Sequence, residues 1–268
     1  MSNDKGNGND YLSQEEIDAL LSQSADLSSS SANDALDASD YLSPMEQDAL
    51  GEIGNISFGS AATALSTLLK QKVDITTPKV TIIAKDQLDQ QFPKPHVAVH
   101  VKYVEGFQGV NLLVIKTEDA QVIADLMLGG DGTGVTGNAG DLNDIHISAV
   151  QEAMNQMMGS AATSMSTIFN RMVNISPPGI DIMDITSGEG TGGLPEDNVM
   201  IAVSFRLKIG SLIDSSIMQL LTVPFSKEMV SGLIGADGNE AQSEQPSANT
   251  SESIMSEEEL AELNEQLT

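Results

Sequence analysis

Glu52 and Asn55 recur as Glu152 and Asn155, the same two residue types at the same spacing and offset by 100 positions. Residues three apart on a helix share a face, so each pair sets a carboxylate beside a carboxamide. The carboxylate can anchor a cationic group or take a proton. The carboxamide donates and accepts hydrogen bonds at once and carries no charge. Each pair also has the same supports. Asp48 or Ser148 lies one turn before the Glu, and Gly59 or Gly159 one turn after the Asn. Pro78 or Pro178 follows the Asn after 22 intervening residues.

These residues belong to an internal repeat. Residues 48–80 align with 148–180 without a gap, and 13 of the 33 positions are identical, including the run Gly59-Ser-Ala-Ala-Thr63 and Gly159-Ser-Ala-Ala-Thr163. The first copy opens with Ser43-Pro44-Met45-Glu46, a capping box with proline at the first helical position, which predicts a helix to about Lys70. On a helical wheel Ala49, Ile53, Ile56, Ser60 and Ala64 form an apolar arc, with Leu50 and Leu68 to one side, and this is the expected core face. Asp48, Glu52, Asn55 and Gly59 fall within about 60° of one another on a separate, exposed stripe. Glu and Asn on a solvated helix face are commonplace. Their survival in both copies, where neighbours such as Ile53/Ala153 and Ile56/Gln156 have diverged, singles them out. Gly inside a helix costs about 1 kcal/mol relative to Ala, so Gly59 and Gly159 suggest close approach by another backbone or by a partner.

The elements around the motif repeat as well. Strands are expected near 73–84, 97–104 and 109–116, followed by a short helix at 117–128. The second half gives a helix near 144–171, strands near 173–185, 198–209 and 211–223, and a helix at 224–234. The expected fold is α/β, with duplicated αβββα halves (about 43–135 and 143–235) related by pseudo-two-fold symmetry. This domain, residues 41–235, is flanked by disordered acidic tails. Residues 1–40 carry nine acids against one base and residues 236–268 nine acids and no base, so most of the net charge of −27 sits in the tails. Such segments cannot bury enough apolar surface to fold alone.

The charge argues against nucleic acid as a partner, and no apolar run is long enough to insert in a membrane. No signal peptide is visible, and the chain has no cysteine for a disulfide framework or a thiolate metal site. A cytoplasmic protein is expected.

The pattern Asp/Ser-x3-Glu-x2-Asn-x22-Pro, met twice, resembles the signature of the CheC/CheX/FliY family of chemotaxis phosphatases, and most closely its flagellar motor switch members. The resemblance covers about 41–235 and implies a CheC-like fold and a substrate, the aspartyl phosphate of a CheY-type response regulator. It implies that Asn55 and Asn155 position the attacking water while Glu52 and Glu152 contact a basic group of the regulator, with Asp48, Pro78, Ser148 and Pro178 supporting the motif. No cofactor or metal of its own is implied, Mg²⁺ being supplied by the regulator. Motor-switch partners of the FliM, FliN and FliG kinds are implied too, with peripheral placement at the flagellar basal body. The motor-switch members carry a C-terminal FliN-like domain that this sequence does not show. The alternative is a non-catalytic switch scaffold or an adaptor that binds the phosphorylated regulator.

Two short islands stand in the tails. In 12–21 a short helix is expected, N-capped by Ser13 with Glu16 at its third position; Leu12, just before the cap, staples against Ile17, and Ile17, Leu20 and Leu21 form one apolar face. Too short to be stable alone, it is expected to fold on a partner's groove. It resembles the regulator-capturing peptide of switch proteins. Residues 255–267, led by Met255, Ser256, Glu259 and Leu260, repeat this grammar after an acidic linker. Gly129-Gly-Asp-Gly-Thr-Gly134 lacks the lysine of a phosphate loop and is read as an inter-repeat loop. His96 and His100 lack a third ligand. Met157 and Met158, beside Asn155, are expected in the core or against a partner.

Overall fold

In the computed structural model, residues 37–138 and 142–240 are described. The two tail islands, 12–21 and 255–267, lie outside these residues. Helix α1 (Pro44–Leu69) starts at the expected capping box. The Glu46 carboxylate accepts from the Ser43 backbone N–H at 2.7 Å and the Ser43 hydroxyl accepts from the Glu46 N–H at 3.3 Å. The helix stops at Lys70, which takes a left-handed φ of 53°. There follow β1 (Val73–Ala84), a short α2 (Leu88–Gln91), β2 (His96–Glu105), β3 (Gly109–Lys116) and α3 (Thr117–Met127). The second half runs α4 (Asp144–Ile168), β4 (Asn174–Ile175), β5 (Gly179–Met183), β6 (Val199–Ile209), β7 (Ile213–Thr222) and α5 (Val223–Glu240).

Three boundaries differ from the sequence expectation. The strand foreseen at 173–185 is broken into β4 and β5 at Ser176-Pro177-Pro178, because consecutive prolines cannot donate to a ladder. Helix α5 runs six residues past 234 into the stretch expected to be linker. Residues 38–40, expected in the disordered tail, form a 3₁₀ turn capped by Asp37.

All seven strands join one antiparallel sheet in the order β1-β6-β7-β3-β2, with β4 and β5 both on the outer side of β2. The order is symmetric about the β3–β7 pair. Each half sends its first strand across to pair with the second strand of the other half, β1 with β6 and β5 with β2. The halves are therefore interlocked. Strand alternation separates two cores. Val97, Val99, Val101, Leu113, Ile115, Ile201, Val203 and Phe205 face the helices. Ala98, Leu112, Val114, Met200, Ala202 and Leu220 face the opposite way, under Leu88 and Phe92 of the β1–β2 connection.

The core face of α1 is rotated from the expected one. Its buried residues are Leu50, Ile53, Gly54, Ser57, Phe58, Ala61, Ala62, Leu65 and Leu69, whereas Ile56 is 41% exposed. The arc is centred roughly 120° round the wheel from the predicted position. Glycine at 54 makes this face possible: a Cβ there would lie 2.7 Å from the Phe205 ring, which also packs 4.5 Å from Phe58.

Helices α1 and α4 pack against each other over the sheet, with Ser60 and Ser164 hydroxyls hydrogen-bonded at 2.6 Å. The repeat maps this pair onto Ser160 and Ala64. Rising numbers on one helix thus meet falling numbers on the other, which is an antiparallel crossing near the Ala61-Ala62 and Ala161-Ala162 pairs.

Candidate functional site

Most identities of the repeat have a folding task. Ser66 donates to the Ala62 carbonyl at 2.7 Å and accepts from the Val73 N–H at 2.9 Å, latching the end of α1 to the start of β1. Ser166 makes the same two bonds to Ala162 and Val173, both at 2.9 Å. Thr63 and Thr163 donate to the carbonyls of Gly59 and Gly159, and Thr67 and Thr167 to those of Thr63 and Thr163. Ala61, Ala62, Ala161, Ala162, Val73 and Val173 are buried.

Glu52, Asn55, Glu152 and Asn155 are different. All four are exposed. Among the described residues the side chains of Glu52, Asn55 and Asn155 make no hydrogen bond or ion pair, and that of Glu152 only accepts one from Gln156 of its own helix, at 2.8 Å. A Cβ at Gly59 or Gly159 would meet nothing within 4 Å, so no part of the described chain requires glycine there. The motif residues face solvent despite the rotated core, because their stripe lies well away from both the expected and the observed apolar arcs.

The motif prolines line the flank of each stripe. At the first copy Pro78 lies 3.7 Å from where a Cβ of Gly51 would be. It shares a surface depression of about 400 Å³ with Gln47, Asp48, Gly51, Glu52, Lys79 and Val80. At the second copy Gln151 stands in place of Gly51 and donates to the Pro178 carbonyl at 2.6 Å. Asp48 is exposed, while Ser148 turns its hydroxyl back to the Asp144 carbonyl at 2.7 Å. Seven residues separate each Asn from the crossing of α1 and α4. At 1.5 Å rise per residue the two carboxamides stand about 20 Å apart, as two sites rather than one composite site.

Helical position also exposes residues that the sequence reading passed over. Met45 is 71% exposed and its repeat equivalent Ile145 64%, each one turn before the motif and on the same stripe. The signal was available as an apolar residue at one offset in both copies. Ile56, assigned to the core, joins this surface beside Asn55. Met157 and Met158 are buried and cannot meet a partner.

Among the described residues no three His, Cys, Asp or Glu converge as a metal would require. The Nδ1 atom of His96 lies 2.7 Å from the Lys94 carbonyl, and burial lowers its pKa. The Nδ1 atom of His100 lies 3.4 Å from Asp181. The loop after α3 is held by the protein itself: Asp125 accepts from the Gly132 N–H at 2.7 Å and Gln121 from the Gly137 N–H at 2.8 Å. No helix among the described residues is long and apolar enough to cross a membrane.

The sequence profile of the CheC-like family matches residues 45–82 and 145–182, two segments offset by the 100 residues of the repeat. The flagellar motor switch phosphatase FliY of Bacillus subtilis is 55% identical over 232 residues, which are 87% of this chain and 60% of that protein. The chain thus spans about 60% of that relative's length. The crystal structure of Thermotoga maritima FliY superposes with a TM-score of 0.68 at 38% identity, covering 73% of this chain and 98% of that one. The FliM middle domain from Helicobacter pylori shares the fold, with a TM-score of 0.55 at 16% identity over 71% of this chain and 99% of that chain.

Proposed function

Because the chain belongs to the CheC-like family, we propose that it hydrolyses the aspartyl phosphate of a CheY-type response regulator, at two sites built on α1 and α4. The observation that carries this reading is the pair of exposed carboxamides, retained in both copies of the repeat without any folding task. An acyl phosphate is already activated, so no covalent nucleophile is needed. A water held in line with the aspartyl oxygen is enough. As the water oxygen bonds to phosphorus, the bond to the aspartyl oxygen breaks. The carboxylate is left ionised and both protons depart with inorganic phosphate. Asn55 or Asn155 accepts from the water and donates to it or to a phosphoryl oxygen, a neutral counterpart of the water-orienting Gln of GTPases. Settling the water's position on binding lowers the barrier by on the order of several kcal/mol. Glu52 and Glu152, one turn away, anchor a cationic group of the regulator, and the regulator brings the Mg²⁺ that neutralises the phosphoryl oxygens.

Three further features fit this reading. The 12–21 segment, with Leu12, Ile17, Leu20 and Leu21, captures the phosphorylated regulator and raises its concentration near the two sites. Met45 and Ile145 extend the contact surface along each helix. The chain works at the flagellar motor switch, among FliM-, FliN- and FliG-type proteins. The rival reading, a scaffold without catalysis, draws on the fold shared with FliM. Phosphate release from the phosphorylated regulator separates the two. Asn55→Ala combined with Asn155→Ala is expected to bring release down to the regulator's own autohydrolysis. Release equal to wild type in the double variant would exclude the mechanism. A wild-type chain that releases nothing beyond autohydrolysis would favour the scaffold.

A further inference from the structure

The two copies of the motif are alike in their Glu and Asn and differ on the flank beside the Glu. At the first, Gly51 leaves the flank between α1 and β1 open above Pro78, and the depression there reaches Glu52. Glu52 has both carboxylate oxygens available. At the second, the Gln151 side chain spans the same gap and donates to the Pro178 carbonyl at 2.6 Å. Glu152 already accepts from Gln156 at 2.8 Å. Gln156 replaces the exposed, apolar Ile56. The strand beside the second site is also the broken one, β4 and β5, whereas β1 runs past Pro78 with a single register shift between Thr76 and Lys79.

Each difference acts in the same direction. A partner loop entering beside the helix finds an open flank at the first site and an amide bridge at the second. A cationic group reaching Glu152 must compete with the Gln156 amide for Oε1 or settle for the other oxygen alone. At Glu52 there is no competitor, and Ile56 offers apolar surface that loses nothing on desolvation. We propose that the two sites are unequal by construction: the first receives the regulator directly, and Gln151 and Gln156 hold the second in a lower-affinity state. This inference rests on the phosphatase reading and adds Gly51, Ile56, Gln151 and Gln156 as specificity-determining residues.

The test uses the full chain and phosphate release from the phosphorylated regulator. Asn55→Ala leaves only the second site and Asn155→Ala only the first. The first-site chain is expected to keep most of the wild-type kcat/KM. The second-site chain is expected to fall about five-fold or more, mainly through KM, as for two lost or contested contacts of modest strength. Adding Gln151→Gly and Gln156→Ile to the Asn55→Ala chain should recover most of that loss by lowering KM. Adding Gly51→Gln and Ile56→Gln to the Asn155→Ala chain should produce it. All these side chains are on the surface or have room, and far-UV circular dichroism checks each fold. Equal losses in the two single-site chains, or exchanges that leave both KM values unmoved, overturn the inequality while leaving the phosphatase reading intact. Wild-type release from the double Asn variant removes the carboxamide mechanism, a wild-type chain with no release beyond autohydrolysis removes the phosphatase reading, and the inequality falls with either.

Discussion

In the proposed mechanism the chemistry at Asn55 and Asn155 depends on a group that is polar on both sides and uncharged. Aspartate has nearly the same shape, but it would set a negative charge against the phosphoryl oxygens and lose the amide donor. Asn55→Asp with Asn155→Asp is therefore expected to lower phosphate release about 100-fold, at least as far as the Ala pair, since correct water placement alone is worth that much. Measured release above that of the Ala pair would mean that the side chain acts as a base instead. The place of these residues on an exposed stripe was legible in the sequence because duplication separated them from their neighbours. Ile56 was not, because α1 carries apolar or small residues nearly all round and periodicity alone does not fix the phase of its core face. The packing of Phe205 into the space at Gly54 sets that phase, and it is a contact between residues 151 positions apart.

Among the elements, the helices were the most readable and the strand pairing the least. The capping box at Ser43 and the Ser66 and Ser166 latches are local, so their residues announce them. The exchange of β1 and β5 between halves is not local, and nothing in either strand names its partner. Helix α3 holds another feature the sequence did not reveal. Asp119, in its first turn, is buried, and its Oδ2 atom lacks a hydrogen bond. Burial pushes this carboxyl's pKa up, and the nearby Ser215 hydroxyl offsets the shift only in part, not being aligned to donate within bonding geometry. The folded chain thus binds this proton more tightly than the unfolded one. The associated stability is complete below the ordinary carboxyl range and is lost as pH rises through the raised folded value. Asp119→Asn is expected to stabilise the protein by about 1–2 kcal/mol at neutral pH, because the amide keeps the shape and spares the desolvation of a buried charge. The advantage should shrink as pH falls toward 4. Urea unfolding across that range reads both, and a variant less stable than wild type at pH 7 would show that the carboxylate is paired.

On the scale of the whole molecule, the pseudo-two-fold axis between β3 and β7 explains why one short motif yields two separate surfaces. The antiparallel crossing of α1 and α4 sets Asn55 and Asn155 on opposite sides of the helix contact, about 20 Å apart along the helix axes. In the proposed function the 12–21 segment holds substrate close to either site. Deleting residues 1–21 is expected to raise the apparent KM for the phosphorylated regulator about ten-fold with kcat nearly unchanged. A fall in kcat at constant KM would assign that segment a structural task instead. The most direct measurement remains phosphate release from the phosphorylated regulator by wild type and by the Asn55→Ala, Asn155→Ala double variant. Catalysis by the carboxamides requires the wild type to exceed autohydrolysis and the double variant to match it; a double variant as fast as wild type would contradict it.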